Sequence, residues 1–199
     1  MVVVNGLEVT THKEITAPLI AEIVKLFWQC KKALAPTFVQ LSLENMAEEV
    51  YTVHSDGVMV AFASVYFTAD YETPYVVVDA ICSHKDGAGG TLLKYLMETT
   101  HERKFTGLKV HAIISAVPWY LSAGFRFVTE CYESFPEIEK MQREAEEFLQ
   151  KYPSKKIYKH LYQRQAKTFV KLLEEARKTQ EINRYYLHDT WEMTKCFAQ

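Results

Sequence analysis

His84-Lys85-Asp86-Gly87-Ala88-Gly89-Gly90-Thr91-Leu92-Leu93 is the stretch that decides how this chain is read. It follows Tyr75-Val76-Val77-Val78-Asp79-Ala80-Ile81-Cys82, a run that is apolar except for Asp79 and reads as a buried strand. It leads into Leu92, Leu93, Leu96 and Met97, which recur at the spacing of a helix face. A glycine-rich turn between strand and helix exposes backbone N–H groups at the positive end of the helix dipole. That is an anion site, and phosphate is its usual guest.

Two phosphate loops are excluded by their own requirements. An NTPase loop needs G-x-x-x-x-G-K-[ST], and Gly-Lys-Ser/Thr occurs nowhere in the chain. A dinucleotide fingerprint needs G-x-G-x-x-G, whereas the third glycine position holds Leu92. Gly87-x-Gly89 followed by the Leu92-Leu93 pair resembles the pyrophosphate loop of the GNAT superfamily of acyl-CoA-dependent N-acetyltransferases. That loop usually reads Q/R-x-x-G-x-G/A. His84 stands at the Q/R position here, and the link Ile81-Cys82-Ser83-His84-Lys85-Asp86 is shorter than the common form. The short Cys-Ser link resembles a branch found in large DNA viruses and some eukaryotic microbes. An ordinary strand–helix turn is the plain alternative.

Length and composition set the frame. The chain has 199 residues, 48% of them hydrophobic, which suits one domain with additions and an ample core. The net charge of −2 gives no global pull toward nucleic acid. No apolar window is long enough to span a membrane, and Met1-Val2-Val3-Val4-Asn5-Gly6 lacks the pattern of a secretory signal. Cys30, Cys82, Cys131 and Cys196 are scattered, with no C-x-x-C pair. A cytoplasmic protein with reduced thiols is the expectation.

Periodicity gives the element order. Residues 1–11 read as one strand. Thr16 caps a helix with Pro18 in its first turn, and apolar residues from Leu19 recur at helical spacing through Leu34, with Pro36 ending the helix. A shorter helix runs from about Thr37 or Ser42 to Glu49. Ser55-Asp56-Gly57 between two apolar runs is a hairpin turn. The helix after the glycine turn ends near Lys104, and residues 108–114 form a strand. A short helix over 115–123 closes at Gly124, and Phe125 to Glu130 form another strand. Ser134 with Glu137 opens an acidic helix ending near Lys151. Beyond Pro153, Ile157, Leu161, Phe169, Leu172 and Leu173 mark a long amphipathic helix. Residues 187–197 read as a final strand.

The order through residue 130, β-α-α-β-β-β-α-β-α-β, is that of the GNAT fold, and the last strand resembles its closing strand. The resemblance covers roughly residues 1–130 and 186–199. It has a second element, Ala116-Val117-Pro118-Trp119-Tyr120-Leu121-Ser122-Ala123-Gly124-Phe125, similar to the A-x-x-x-Y-x-x-x-G-F pattern of the helix and strand that hold the CoA arm. The expected fold class is therefore α/β (α+β): a single GNAT domain over 1–199, with a mixed, mostly antiparallel sheet flanked by helices. Residues 131–185 form a helical insertion before the last strand. The long helix of that insertion carries eight basic residues, among them Lys155, Lys159, Arg164 and Lys171. Packing on the domain or against a second copy, as a homodimer, is the expected use of its apolar stripe.

An acetyltransferase must hold the cofactor, deprotonate an amine and protonate a thiolate. The resemblance implies that Gly87, Ala88, Gly89, Gly90 and Thr91 hold the CoA pyrophosphate, with Lys85 adding charge. Ile81, Cys82 and Ser83 would offer backbone groups to pantetheine. It also implies direct transfer rather than a Cys82 nucleophile. An alkylamine is neutral in only roughly one part in several thousand at pH 7, so deprotonation costs about 4–5 kcal/mol. Asp79, a lone charge in an apolar strand, is the candidate base or amine anchor, and a structural aspartate paired with a neighbour is the alternative. Asp70 and Glu72 are candidates for the acceptor entrance. Tyr120 is the candidate acid for the CoA thiolate and a cofactor contact, with core packing as the alternative. No histidine lies at metal spacing, so no metal is expected. The expected activity is transfer of acetyl from acetyl-CoA to a primary amine. A small polyamine comes first, because residues 1–130 hold ten basic and fourteen acidic residues and relatives of the viral type include such enzymes. A protein lysine or N-terminus is the close alternative. A non-catalytic CoA-binding regulator is the alternative of another class, and a nucleic-acid-binding module a distant one.

Overall fold

The computed structural model describes residues 2–4, 6–30, 36–68, 74–113, 116–127, 131, 136–151 and 190–197. Its elements in chain order are β1 (Val2–Val4), β2 (Leu7–His12), α1 (Ala17–Phe27), α2 (Pro36–Asn45), β3 (Glu49–Ser55), β4 (Val58–Phe67), β5 (Tyr75–Ser83), α3 (Ala88–Glu102), β6 (Gly107–Ile113), α4 (Val117–Ser122), α5 (Pro136–Lys151) and β7 (Thr190–Cys196). The chain divides into two compact units, residues 1–108 with 197–199, and residues 109–196.

In the first unit β1 to β5 pair antiparallel in chain order. The single strand expected over 1–11 is instead a hairpin, because Gly6 at φ +76° reverses the chain between β1 and β2. The β3–β4 hairpin turns as expected at Asp56 and Gly57, both at positive φ. Successive strand residues point to opposite faces, and each face has its own helical cover. Val50, Met59, Phe62, Ala80 and Cys82 pack against Ile23, Leu26 and Phe27 of α1 and Val39 and Leu43 of α2. Tyr51, next to Val50, meets Tyr95 of α3 edge-on at 6.1 Å on the other face. The Glu49 carboxylate accepts from Tyr51 Oη at 2.6 Å and Arg103 Nη1 at 2.7 Å, and Arg103 lies 4.7 Å over the Phe67 ring. This buried, paired charge ties the end of α3 to the sheet. Burial and the bond to Glu49 push the Tyr51 phenol well above its ordinary range.

Helix α1 is shorter than expected. It ends at Phe27 rather than Leu34, where Gln29 N–H donates to Leu26 O and Cys30 N–H to Phe27 O, an i→i+3 tightening of the last turn. Thr16 is its N-cap through the backbone, without a side-chain bond. Pro36 opens α2 instead of closing α1, a role that proline's fixed φ favours. Helix α2 stops at Asn45, so Glu49 is strand rather than helix. The cysteines overturn the expectation of reduced thiols. Cys30 is bonded to Cys82 with Cα atoms 6.2 Å apart, and Cys131 to Cys196 at 5.6 Å. Partners 52 and 65 residues apart in sequence leave no short-range spacing signal.

In the second unit β7 neighbours β6, and Thr194 forms a two-bond antiparallel bridge with Arg126 at 2.9 Å each way. The strand expected over Phe125–Glu130 is this single bridge among its described residues, 125–127. On the edge turned away from Thr194, the side-chain amide of Gln142 of α5 accepts from Phe127 N–H at 3.2 Å and donates to Phe125 O at 3.4 Å. A side chain thus takes the place of a neighbouring strand. The described part of the insertion, α5, packs on its own unit in this way. Ser134 of the expected capping box and the long helix expected beyond Pro153 lie outside the described residues. No helix among the described residues is long and apolar enough to cross a membrane.

Peptide mapping without reductant should recover Cys30 joined to Cys82 and Cys131 joined to Cys196. Replacing Cys30 and Cys82 together by serine should lower the unfolding free energy by roughly 2–4 kcal/mol in urea titrations.

Candidate active site

Strand β5 carries the site. Ser64 of β4 pairs with Ala80, and Val65 with Val78, so Asp79 is the extra residue of a β-bulge. A bulge re-aims a side chain and frees backbone groups, which is why bulges recur beside functional sites. Asp79 is partly open. One of its carboxylate oxygens, Oδ2, accepts from the Ser42 hydroxyl of α2, and the other has no partner among the described residues. Asp79 thus faces the layer of α1 and α2. Ser64 lies in the cross-strand row Val50–Ser64–Ala80 on that same face. It is fully buried, and its hydroxyl has no partner among the described residues.

Beyond the bulge, Ile81 and Cys82 pair with Ala63 and Phe62 of β4, and Ser83 ends the strand opposite Ala61. The Ser83 hydroxyl donates to Lys85 O at 2.9 Å. His84 donates twice to Val60 O, from N–H and from ring Nδ1, each at 3.1 Å, which fixes the tautomer with hydrogen on Nδ1. Lys85 Nζ donates to Ser55 Oγ at 2.5 Å in the β3–β4 turn. The turn is therefore pinned to the neighbouring hairpin by side chains on its strand side.

Its helix side is open. Gly87 caps α3 in the left-handed region, at φ +84°. Ala88 N–H bonds back to Lys85 O and Thr91 N–H to Gly87 O, while the N–H groups of Gly89 and Gly90 have no partner among the described residues. A Cβ built at Gly87 or Gly90 would meet nothing within 4 Å. Two free amides, open space and the positive end of a 15-residue helix suit a phosphate-bearing ligand.

The second unit carries Tyr120. It is 3% exposed on α4, packed against Trp119 at 4.9 Å and edge-on to Phe125 at 5.1 Å. Burial pushes its phenol well above the ordinary range. Phe125 N–H donates to Tyr120 O and Gly124 N–H to Leu121 O, a Schellman closure with Gly124 at φ +81°. The expected closing glycine is thus in place.

No protein-family model matches the sequence, and no curated protein matches it. Solved structures do match. A protein of Desulfovibrio desulfuricans described as a GNAT-family acetyltransferase shares 14% identity over 59% of this chain and 85% of its own, with a TM-score of 0.50. The ribosomal-protein-S18-alanine N-acetyltransferase of Escherichia coli shares 16% over 65% of this chain and 86% of its own, at 0.49. An aminoglycoside acetyltransferase from an uncultured soil metagenomic sample, in complex with sisomicin, shares 17% over 66% and 95%, at 0.48. The chain has the GNAT fold. At such identities the likeness concerns the fold alone. Within this GNAT fold the glycine turn and Asp79 belong to the first unit and Tyr120 to the second. Asp70 and Glu72 lie outside the described residues.

Sequence reasoning missed Ser42 and Ser64. A signal existed for Ser42: it stands three residues after Val39 and one before Leu43, on the buried face of α2.

Gly124→Ala should destabilise the protein by about 1–2 kcal/mol in thermal unfolding, because alanine resists positive φ. Lys195, whose Nζ lies 2.6 Å from the added Cβ, can swing aside, so the strain is in the backbone. Tyr120 titrates higher folded than unfolded, so its burial stabilises fully below about pH 10 and is lost as pH rises. Urea midpoints at about pH 8 and 11 should fall less in Tyr120→Phe than in the wild-type chain.

Proposed function

We propose that this protein is an acyl-CoA-dependent N-acetyltransferase that moves acetyl from acetyl-CoA directly to a primary amine. The observation that carries this reading is the pairing of two features on one strand. Asp79 stands at the bulge of β5, and the open glycine turn begins at the end of the same strand. The free amides of Gly89 and Gly90 suit the pyrophosphate of CoA, and in this reading pantetheine runs along Ile81, Cys82 and Ser83. Asp79 takes the proton of the incoming ammonium through its unpaired oxygen. The amine nitrogen then attacks the acetyl carbon and the C–S bond breaks; the leaving sulfur takes a proton from the Tyr120 phenol, and the second proton that the nitrogen sheds as the amide forms returns to the phenoxide through solvent. That phenol keeps its proton across the neutral range because it is buried. Cys82 is bonded to Cys30, which supports direct transfer over a cysteinyl intermediate.

Among acceptors we favour a small polyamine, for the acidic excess of residues 1–130. In this reading Asp70 and Glu72 belong to its entrance, and the insertion supports a homodimer. A lysine or N-terminus on a protein is the close alternative.

Thiol release from acetyl-CoA should be detectable with spermidine or putrescine, and weaker with a lysine peptide. Tight CoA binding without turnover on any amine would instead identify a regulator. Tyr120→Phe should slow turnover by 10²–10⁴-fold with little change in CoA affinity. Asp79→Asn should raise the pH that half-maximal activity requires; an unchanged profile removes Asp79 from the reaction.

A further inference from the structure

Helix α2 lays one face on the sheet. Val39 and Leu43 of that face are 0% and 2% exposed and belong to the apolar core under β3, β4 and β5. Ser42 lies on the same face, 3% exposed. A hydroxyl there is a liability on general grounds. Alanine is the better helix former and would suit an apolar layer. A serine inside a helix ordinarily satisfies itself on the carbonyl four residues back. Ser42 does not: its single proton goes to Asp79 Oδ2, across to the bulge of β5. The serine is therefore spent on the carboxylate rather than on its own helix.

We propose that Ser42 is a positioning residue for the acceptor amine. Its hydroxyl holds Asp79 by one oxygen and leaves the second oxygen to receive the amine. The inference rests on the reading of Asp79 as the group that meets the amine. The geometry gives the arrangement two independent anchors. Asp79 is fixed from its own strand by the bulge, which no neighbouring residue on β4 opposes. It is fixed from above by α2, whose seat is set by Val39 and Leu43. A carboxylate held in this way presents one acceptor lobe in one direction, which is what a positioned amine requires. The bond is made to an ionised group, and such bonds are the stronger kind.

The test compares Ser42→Ala, Ser42→Cys, Asp79→Asn and the double variant Ser42→Ala/Asp79→Asn. Turnover of acetyl-CoA is measured with the fastest of spermidine, putrescine and a lysine peptide. Ser42→Ala should lower kcat/KM for the amine on the order of tenfold, the size of a charge-assisted hydrogen bond, and leave KM for acetyl-CoA unchanged. Ser42→Cys keeps the volume but offers only a weak donor, so it should lose as much as alanine. It also carries the test if the alanine variant does not fold. The double variant should be no slower than Asp79→Asn, because Ser42 acts only through Asp79. Wild-type rates in Ser42→Cys, or losses that multiply in the double variant, would overturn the proposal and leave Asp79 in place. Full activity in Asp79→Asn, or no turnover of any of the three amines by the wild-type chain, would remove the reading beneath it as well.

Discussion

Strand β5 is the element on which the first unit depends. It is covered on one face by α1 and α2 and leads at its end into α3, which covers the other. Its alternate residues can serve two apolar layers only if register is kept, and a slip of one residue would exchange the layers. Two links hold it to the first of these layers, three residues apart. One is the bond from Ser42 to Asp79, and the other is the covalent bond from Cys30 to Cys82. Between them lies Ala80, which packs into the same core. A segment fastened this closely holds one conformation. A strand that must present a bulge and then a tight turn needs that constraint.

The bulge and the turn solve opposite problems. At Asp79 the strand departs from its ladder to turn a charge out of an apolar run. At Gly87 the chain departs from ordinary φ to leave the start of a helix uncovered. Each departure weakens local structure, and each is bordered by strong local structure. Ser64 pairs across to Ala80 beside the bulge, and His84 and Lys85 fasten the turn to Val60 and Ser55. The ion pair of buried Glu49 with the exposed Arg103 secures the far end of α3. The helix that begins at the glycine turn is thus held at both ends.

Much of this arrangement is written in local pattern. The Asp56-Gly57 turn, the glycine turn, the α3 face of Leu92, Leu93 and Leu96, and the Gly124 closure all depend on residues within a few positions of one another. Periodicity and turn chemistry report such features directly. The features that were not legible depend on distant partners. The disulfides join residues 52 and 65 positions apart. Helix α1 stops at Phe27 and Cys30 is bonded to Cys82, a partner that helical spacing through Leu34 does not record. The bonds from Gln142 to the backbone of Phe125 and Phe127 join residues 15 and 17 positions apart, and Gln142 is a polar residue on a helix that reads as merely acidic. Asp79 was visible as an anomaly in an apolar run, but its direction was not, because a bulge breaks the alternation that assigns faces. Ser42 was hidden for a related reason, since its meaning lies in a partner 37 residues away.

The glycine turn draws on the peptide backbone for its attraction to anions. Lysine and histidine side chains lose or gain charge with pH, and their tips move with solvent and salt. Amide N–H groups do neither, and the dipole of α3 is fixed by the helix itself. The pull exerted by Gly89 and Gly90 is therefore constant wherever the helix is folded. Any change with pH in what this turn holds comes from the ionisation of the guest or of nearby side chains. A backbone cradle of this kind behaves as a permanent electrode, set when the chain folds and immune to titration afterwards.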